Sequence, residues 1–186
     1  MQNRIPEEEI TIKTENIYQG GIIDVEKLTV LLPNGKTAFR DIVRHKGASA
    51  VVPITKDGRI LLVQQYRKPN ECLSIEIPAG KLDANEEPEI CARREMEEET
   101  GYRCNKIEKL FSMQSTPGFS DEIIHVYLAQ DLEIGQVHLD ADEFVTVLSV
   151  TFHDAVQMIR DNRIVDGKTI AGIYAAIDRL GYVQLP

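Results

Sequence analysis

At 186 residues and 42% apolar composition, the chain suits one globular domain with a filled core and is too apolar for a disordered tail. Its formal net charge of −9 disfavours sequence-independent binding to nucleic acid or anionic membrane, so an anionic partner would need a cation between it and the protein. No apolar run approaches the ~20 residues that span a bilayer and Met1–Ile10 lacks the regions of a signal peptide, while Cys72, Cys91 and Cys104 suit neither a disulfide framework nor a zinc site; the expectation is a cytoplasmic protein with reduced thiols.

The N-terminal third alternates as antiparallel sheet does. LTVLLPNGKTAFRDIVR has β-prone runs on either side of Asn34-Gly35, a two-residue hairpin signal, and ASAVVPITKDGRILLVQQYR repeats the pattern around Asp57-Gly58. Its nearly continuous apolar runs predict strands covered on both faces. After the extended LSIEIPAGK, the stretch EEPEICARREMEEETG predicts a helix over about 87–100, with Pro88 in its first turn and Gly101 as the left-handed residue at its end. Strands follow at IEKLFSM, EIIHVYLA and FVTVLSV. TFHDAVQMIRDN, with Thr151 as N-cap, and DGKTIAGIYAAIDRLG, closing on Gly181, predict two more helices. Strands interleaved with helices place the chain in the α/β or α+β class, with helices on the faces of a mixed sheet.

The first helix is where charge concentrates. Residues 86–99 hold seven acids against two bases, which leaves five of the nine net negative charges here (7 − 2 = 5). Glu95, Glu98 and Glu99 stand at i, i+3 and i+4, on one side of the helix, where each like-charge pair costs ~0.2–0.5 kcal/mol. A solvated acidic face is one explanation. Binding of a hard divalent cation, which prefers oxygen ligands, is the other.

The stretch GKLDANEEPEICARREMEEETGY satisfies G-x5-E-x7-R-E-U-x-E-E-x-G-U, where U is a bulky aliphatic residue, at Gly80, Glu86, Arg94, Glu95, Glu98, Glu99 and Gly101. It resembles the Nudix box, the signature of hydrolases that cleave a nucleoside diphosphate linked to another moiety; Tyr102 departs from the pattern by replacing the last aliphatic residue. The resemblance implies an α/β/α sandwich around a mixed sheet, with Mg²⁺ as cofactor and Mn²⁺ as a substitute. It further implies metal ligands at Glu95, Glu99, the Ala79 carbonyl and, through a bridging ion or water, Glu98. Gly80, Glu86, Arg94 and Gly101 would be structural, with Glu86 and Arg94 maintaining the loop–helix–loop geometry.

Outside the box, STPGFSDE, SIEIPAGKLD and QQYRKP are similar to segments of the ADP-ribose pyrophosphatase branch. By position this implies a substrate pocket lined by Arg67, Lys81, Pro117, Gly118 and Glu122 and supported by Glu76. It also implies an N-terminal β subdomain over 1–45 that serves a homodimer, with Arg40 and Arg44 reaching substrate, and a hydrolase domain over 46–186. The base would come from LDADEFVTV, with Asp140 as base, Asp142 as a further metal ligand and Glu143 as the alternate. The expected reaction is Mg²⁺-dependent hydrolysis of ADP-ribose to AMP and ribose 5-phosphate. The rivals are a pyrophosphatase for another nucleotide sugar or dinucleotide, such as GDP-mannose, UDP-glucose or NADH, and a non-catalytic sensor of a nucleotide metabolite.

Overall fold

A computed structural model describes residues 8–138 and 144–182. Backbone contacts divide the chain into two compact units, one running to Lys46 and including Thr116–Glu122, the other comprising the remainder.

In the first unit, β1 (Ile10–Gln19), β2 (Ile23–Leu31) and β3 (Thr37–His45) form an antiparallel sheet in the order β1-β2-β3. Leu28 and Val30, alternate residues of β2, are its buried apolar side chains. The β2–β3 connection has three residues, Pro33-Asn34-Gly35, rather than the expected two. Leu32 and Lys36 pair across it, and the Gly35 N–H donates to the Leu32 carbonyl. A two-residue type I′ turn needs positive φ at both central residues, whereas here Gly35 alone adopts it, at 78°. The segment Thr116–Glu122 joins this unit by backbone bonds between Val43 and both Phe119 and Asp121.

The second unit holds two sheets. One has the order β10-β5-β6, from β5 (Ile60–Arg67), β6 (Cys72–Glu76) and β10 (Thr146–Val150). The other has the order β7-β4-β9-β8, from β4 (Ala48–Pro53), β7 (Ala79–Lys81), β8 (Tyr102–Gln114) and β9 (Ile123–Ile134), and it is mixed because β4 runs parallel to β9.

The second expected hairpin is therefore corrected. Asp57-Gly58 does reverse the chain, in a three-residue turn that pairs Thr55 with Arg59, but beyond the Ile54–Ile60 bridge β4 and β5 enter different sheets. Turn residues specify a reversal, while pairing is chosen by where two-faced apolar strands can be buried.

Those strands are covered on both faces, as their composition predicts. Val52, Ile60, Leu62, Val126 and Leu128 pack in one core with α2 (Phe152–Arg160) and α3 (Gly167–Leu180). Their neighbours Val51, Leu61, Tyr127 and Ala129 pack in another, with Ala92 and Met96 of α1 (Pro88–Thr100). Thr151 caps α2 by accepting from the Asp154 N–H, and Gly181 ends α3 in the left-handed conformation. The fold is α+β, with helices against both sides of the strands.

Candidate active site

Helix α1 follows from its sequence. Pro88 starts it, Cys91, Ala92 and Met96 bury one stripe, and Gly101 ends it at φ 74° with its N–H on the Glu97 carbonyl. The helix packs against the sheet that carries β7, and two details bring its carboxylates to that strand. The Ala79 N–H donates to Glu99 Oε2 at 3.1 Å, and Glu99 is only 3% exposed. Gly80 lies so close to Glu95 that a Cβ there would stand 1.8 Å from Glu95 Oε1. The missing side chain is the space that Glu95 occupies.

Arg94 draws the remaining carboxylates together. Its Nε and Nη2 each donate to Glu86, at 2.9 Å, while Nη1 donates to Glu95 at 2.7 Å and to Glu98 at 3.0 Å. Nη2 also reaches the Lys81 carbonyl, at 3.2 Å. These bonds use the guanidinium fork fully and raise the Arg94 pKa, first through the hydrogen bonds with Glu86. The Arg94 hydrogen bonds in turn hold the Glu86 carboxyl down at about 2, against burial that would raise it. Glu86 also accepts from the Asp83 N–H, so one ion pair closes the loop between β7 and α1.

Among the described residues, no three His, Cys, Asp or Glu side chains converge into a metal cage. The donor chemistry nonetheless fits a hard divalent cation. The side chains of Glu95, Glu98 and Glu99 offer only oxygen ligands, and the space over Gly80 admits a carboxylate at the backbone itself.

Arg67 ends β5, where it pairs in register with Cys72, whereas Glu76 pairs with Val63 four residues back. The Arg67 side chain runs back along the sheet to grip Glu76 with two bonds of 2.8 Å, from Nε to Oε1 and from Nη2 to Oε2. Nη1 has no such partner among the described residues, and the side chain is 39% exposed. Arg67 also feels the charge of Glu99, which sets it within electrostatic reach of α1.

Sequence reasoning missed what lies behind Glu76. Lys168 donates to Glu76 Oε2 and, at 3.0 Å, to Asp166, the N-cap of α3. Asp166 also accepts from the Thr169 N–H and hydroxyl, and Thr169 Oγ1 accepts from the Ile77 N–H at 2.9 Å. Burial would raise the Glu76 carboxyl, but the Arg67 hydrogen bonds and the Lys168 charge outweigh it and hold the carboxyl at about 2. Asp166 is an N-cap of a favoured residue type, but nothing in the sequence around it signals the contact of α3 with β6.

The other expected residues divide between the units. Lys81 is exposed on β7. In the first unit, Arg40 pairs with Glu9, Arg44 with Glu26 and Asp121, and Glu122 with His45, while Pro117 and Gly118 sit in the turn that Thr116 closes to Phe119 and Ser120. Asp140, Asp142 and Glu143 lie outside the described residues. The chain approaching them is anchored to α1 through the Gly135 N–H on the Gly101 carbonyl, the Gln136 N–H on the Glu97 side chain and the His138 N–H on the Glu98 carbonyl.

A box of fixed spacing, an acidic helix facing a glycine and a half-buried arginine–carboxylate lock agree with what comparison finds. The NUDIX domain model matches residues 43–172. The chain is 49% identical over 168 residues to the methanol dehydrogenase activator of Bacillus methanolicus, covering 89% of this chain and 91% of that one. It is 48% identical over 168 residues to the ADP-ribose pyrophosphatase of Bacillus subtilis (89% and 91% covered), and 36% identical over 170 residues to that of Mycobacterium tuberculosis (89% and 81%). A crystal structure of an ADP compounds hydrolase superposes with a TM-score of 0.86 at 18% identity, covering 96% of this chain and 97% of that one, which speaks for the fold. With the box residues gathered by the fold and the domain match spanning most of the sequence, the chain belongs to the Nudix family of hydrolases.

Proposed function

We propose that the protein hydrolyses the diphosphate of ADP-ribose to AMP and ribose 5-phosphate, using Mg²⁺, with Mn²⁺ as a substitute. The observation that carries this reading is the convergence of Glu95, Glu99 and the Ala79–Gly80 backbone, within electrostatic reach of Arg67, whose Nη1 edge faces away from Glu76. The 48% identity to an ADP-ribose pyrophosphatase over most of both chains supports the substrate.

In this reading Glu95, Glu98, Glu99 and the Ala79 carbonyl hold the cation. When bound, a divalent cation neutralises phosphate charge and lowers the pKa of coordinated water. The chain's own residues do the rest. Arg67 presents Nη1 to an anionic oxygen of the substrate, Glu76 keeps it in that orientation, and Lys81, Pro117, Gly118 and Glu122 line the pocket. Arg94 and Glu86 hold the loop and helix in place. Asp140 takes the proton of the attacking water, with Glu143 as the alternate and Asp142 as a further ligand. The water oxygen joins one phosphorus, the bridging P–O bond breaks, and the departing phosphate leaves as the second monoester. Residues 1–45 serve a homodimer in which Arg40 and Arg44 contact substrate, residues 46–186 form the hydrolase domain, and the protein works in the cytoplasm.

A relative named GDP-mannose pyrophosphatase, 38% identical over 136 residues, supports a second reading with the same chemistry on a nucleotide sugar. A sensor without turnover would have no need of Glu95, Glu98 and Glu99 together. The test is product analysis by anion exchange after incubation with ADP-ribose, GDP-mannose, UDP-glucose or NADH, each with Mg²⁺ or EDTA. AMP formed fastest from ADP-ribose, only with metal, is the expected result. Faster cleavage of another substrate would move the specificity, and product from none would favour the sensor. Glu99→Gln should lower turnover by at least about a hundredfold while melting within a few degrees of the parent, since the amide oxygen still accepts from Ala79.

A further inference from the structure

Lys168 is a largely buried cation that the proposed chemistry leaves without a task. Its side chain is 12% exposed, between Glu76 at 4% and Asp166 at 23%. Burying an ammonium between carboxylates is weak evidence of a stabilising purpose, because apolar residues of similar volume often do as well. Its geometry suggests another purpose. Arg67 alone would fix Glu76 through a planar fork, but that pair could still turn as a unit about the long side chains of both residues. Lys168 adds a third donor, on Oε2, from a helix that is itself fixed at this point: Asp166 caps α3, and Thr169 ties the same turn to the Ile77 backbone. The carboxylate therefore meets donors from two elements, β5 and α3.

We propose that Lys168 is a positioning residue for substrate binding: from the first turn of α3 it fixes the Glu76 carboxylate, and through it aims the Nη1 edge of Arg67 at the substrate's anionic oxygens. The inference rests on the substrate role proposed above for Arg67, but its structural half can be tested without substrate. Ile77 leads through Pro78 to Ala79, so the same helix turn also steadies the strand entering the box.

The experiment compares the parent with Lys168→Met and Lys168→Gln in two measurements. The first follows hydrogen exchange at the Arg67 Nε–H by nitrogen-15 NMR, the resonance being assigned with Arg67→Lys. The second determines KM and kcat for ADP-ribose at saturating Mg²⁺. Exchange at Nε–H is expected to quicken by about tenfold in Lys168→Met, with KM raised by about tenfold and kcat within about twofold. Lys168→Gln, which keeps a neutral amide donor group, should fall between. The double variant Arg67→Ala with Lys168→Met should have the KM of Arg67→Ala alone.

Unchanged Nε–H exchange in a folded Lys168→Met variant would overturn the proposal whatever the substrate is. So would quickened exchange with an unchanged KM, or additive KM effects in the double variant. A parent that shows a protected Nε–H, lost in Lys168→Met, but does not cleave ADP-ribose would instead overturn the substrate reading and leave the fixing of Arg67 standing.

Discussion

Single atoms decide much at this site. At Gly80 a methyl group would collide with the Glu95 carboxylate, which is the far end of a flexible side chain and can swing away. Gly80→Ala should therefore cost less than about 1 kcal/mol in urea unfolding yet lower metal-dependent turnover by about a hundredfold. The glycine was legible from the box spacing, but the reason for it, an approach by Glu95, needed coordinates. Glu76 makes a second case. Its carboxyl, held at about 2 against an ordinary 4.5, contributes stability that is fully present above pH 4.5 and lost as pH falls through about 2. The unfolding free energy of the parent in urea titrations should drop across that window, and that of Glu76→Gln should drop less steeply from a starting value about 3 kcal/mol lower, because Arg67 and Lys168 lose their common charged partner. The resemblance assigned Arg67 to the substrate pocket and Glu76 to its support, but that the two share one strand pair needed the structure. Lys168 was invisible because 92 residues separate it from Glu76.

Elements with strong local signals were readable. The three helices begin and end within a residue or two of where their caps and glycines put them, since Pro88, Thr151, Gly101 and Gly181 act on their own neighbours. Strand pairing was less readable. β4 finds β9, more than 70 residues away, because its two apolar faces need cover on both sides, and no turn residue encodes that choice. The end of α1 joins both kinds of constraint. Gly101 is left-handed at 74°, and a Cβ there would also lie 2.8 Å from Val137 Cγ2, in the segment anchored to the helix end. Gly101→Ala should cost about 2 kcal/mol in urea unfolding and quicken amide exchange at Gly135, whose N–H rests on the Gly101 carbonyl.

At the scale of the molecule, the charge of −9 pointed to an intermediary cation before any motif was considered, because an anionic chain and an anionic substrate repel. The first unit leaves Ile10, Ile12, Ile17, Tyr18, Ile22 and Phe39 each more than half exposed, a larger apolar display than three strands need for themselves. Equilibrium sedimentation at micromolar concentration should return twice the 21.0 kDa chain mass, and Ile12→Glu with Ile17→Glu should lower it toward one chain. The register of β5 against β6 has a practical side as well. Cys72, directly across from Arg67, is exposed, whereas Cys91 and Cys104 are buried, with burial pushing the Cys91 thiol up to about 12. A maleimide dye would therefore attach at one position only, at the strand residue paired with Arg67, and its emission would report changes at that end of the β5–β6 pair in real time without any engineered cysteine.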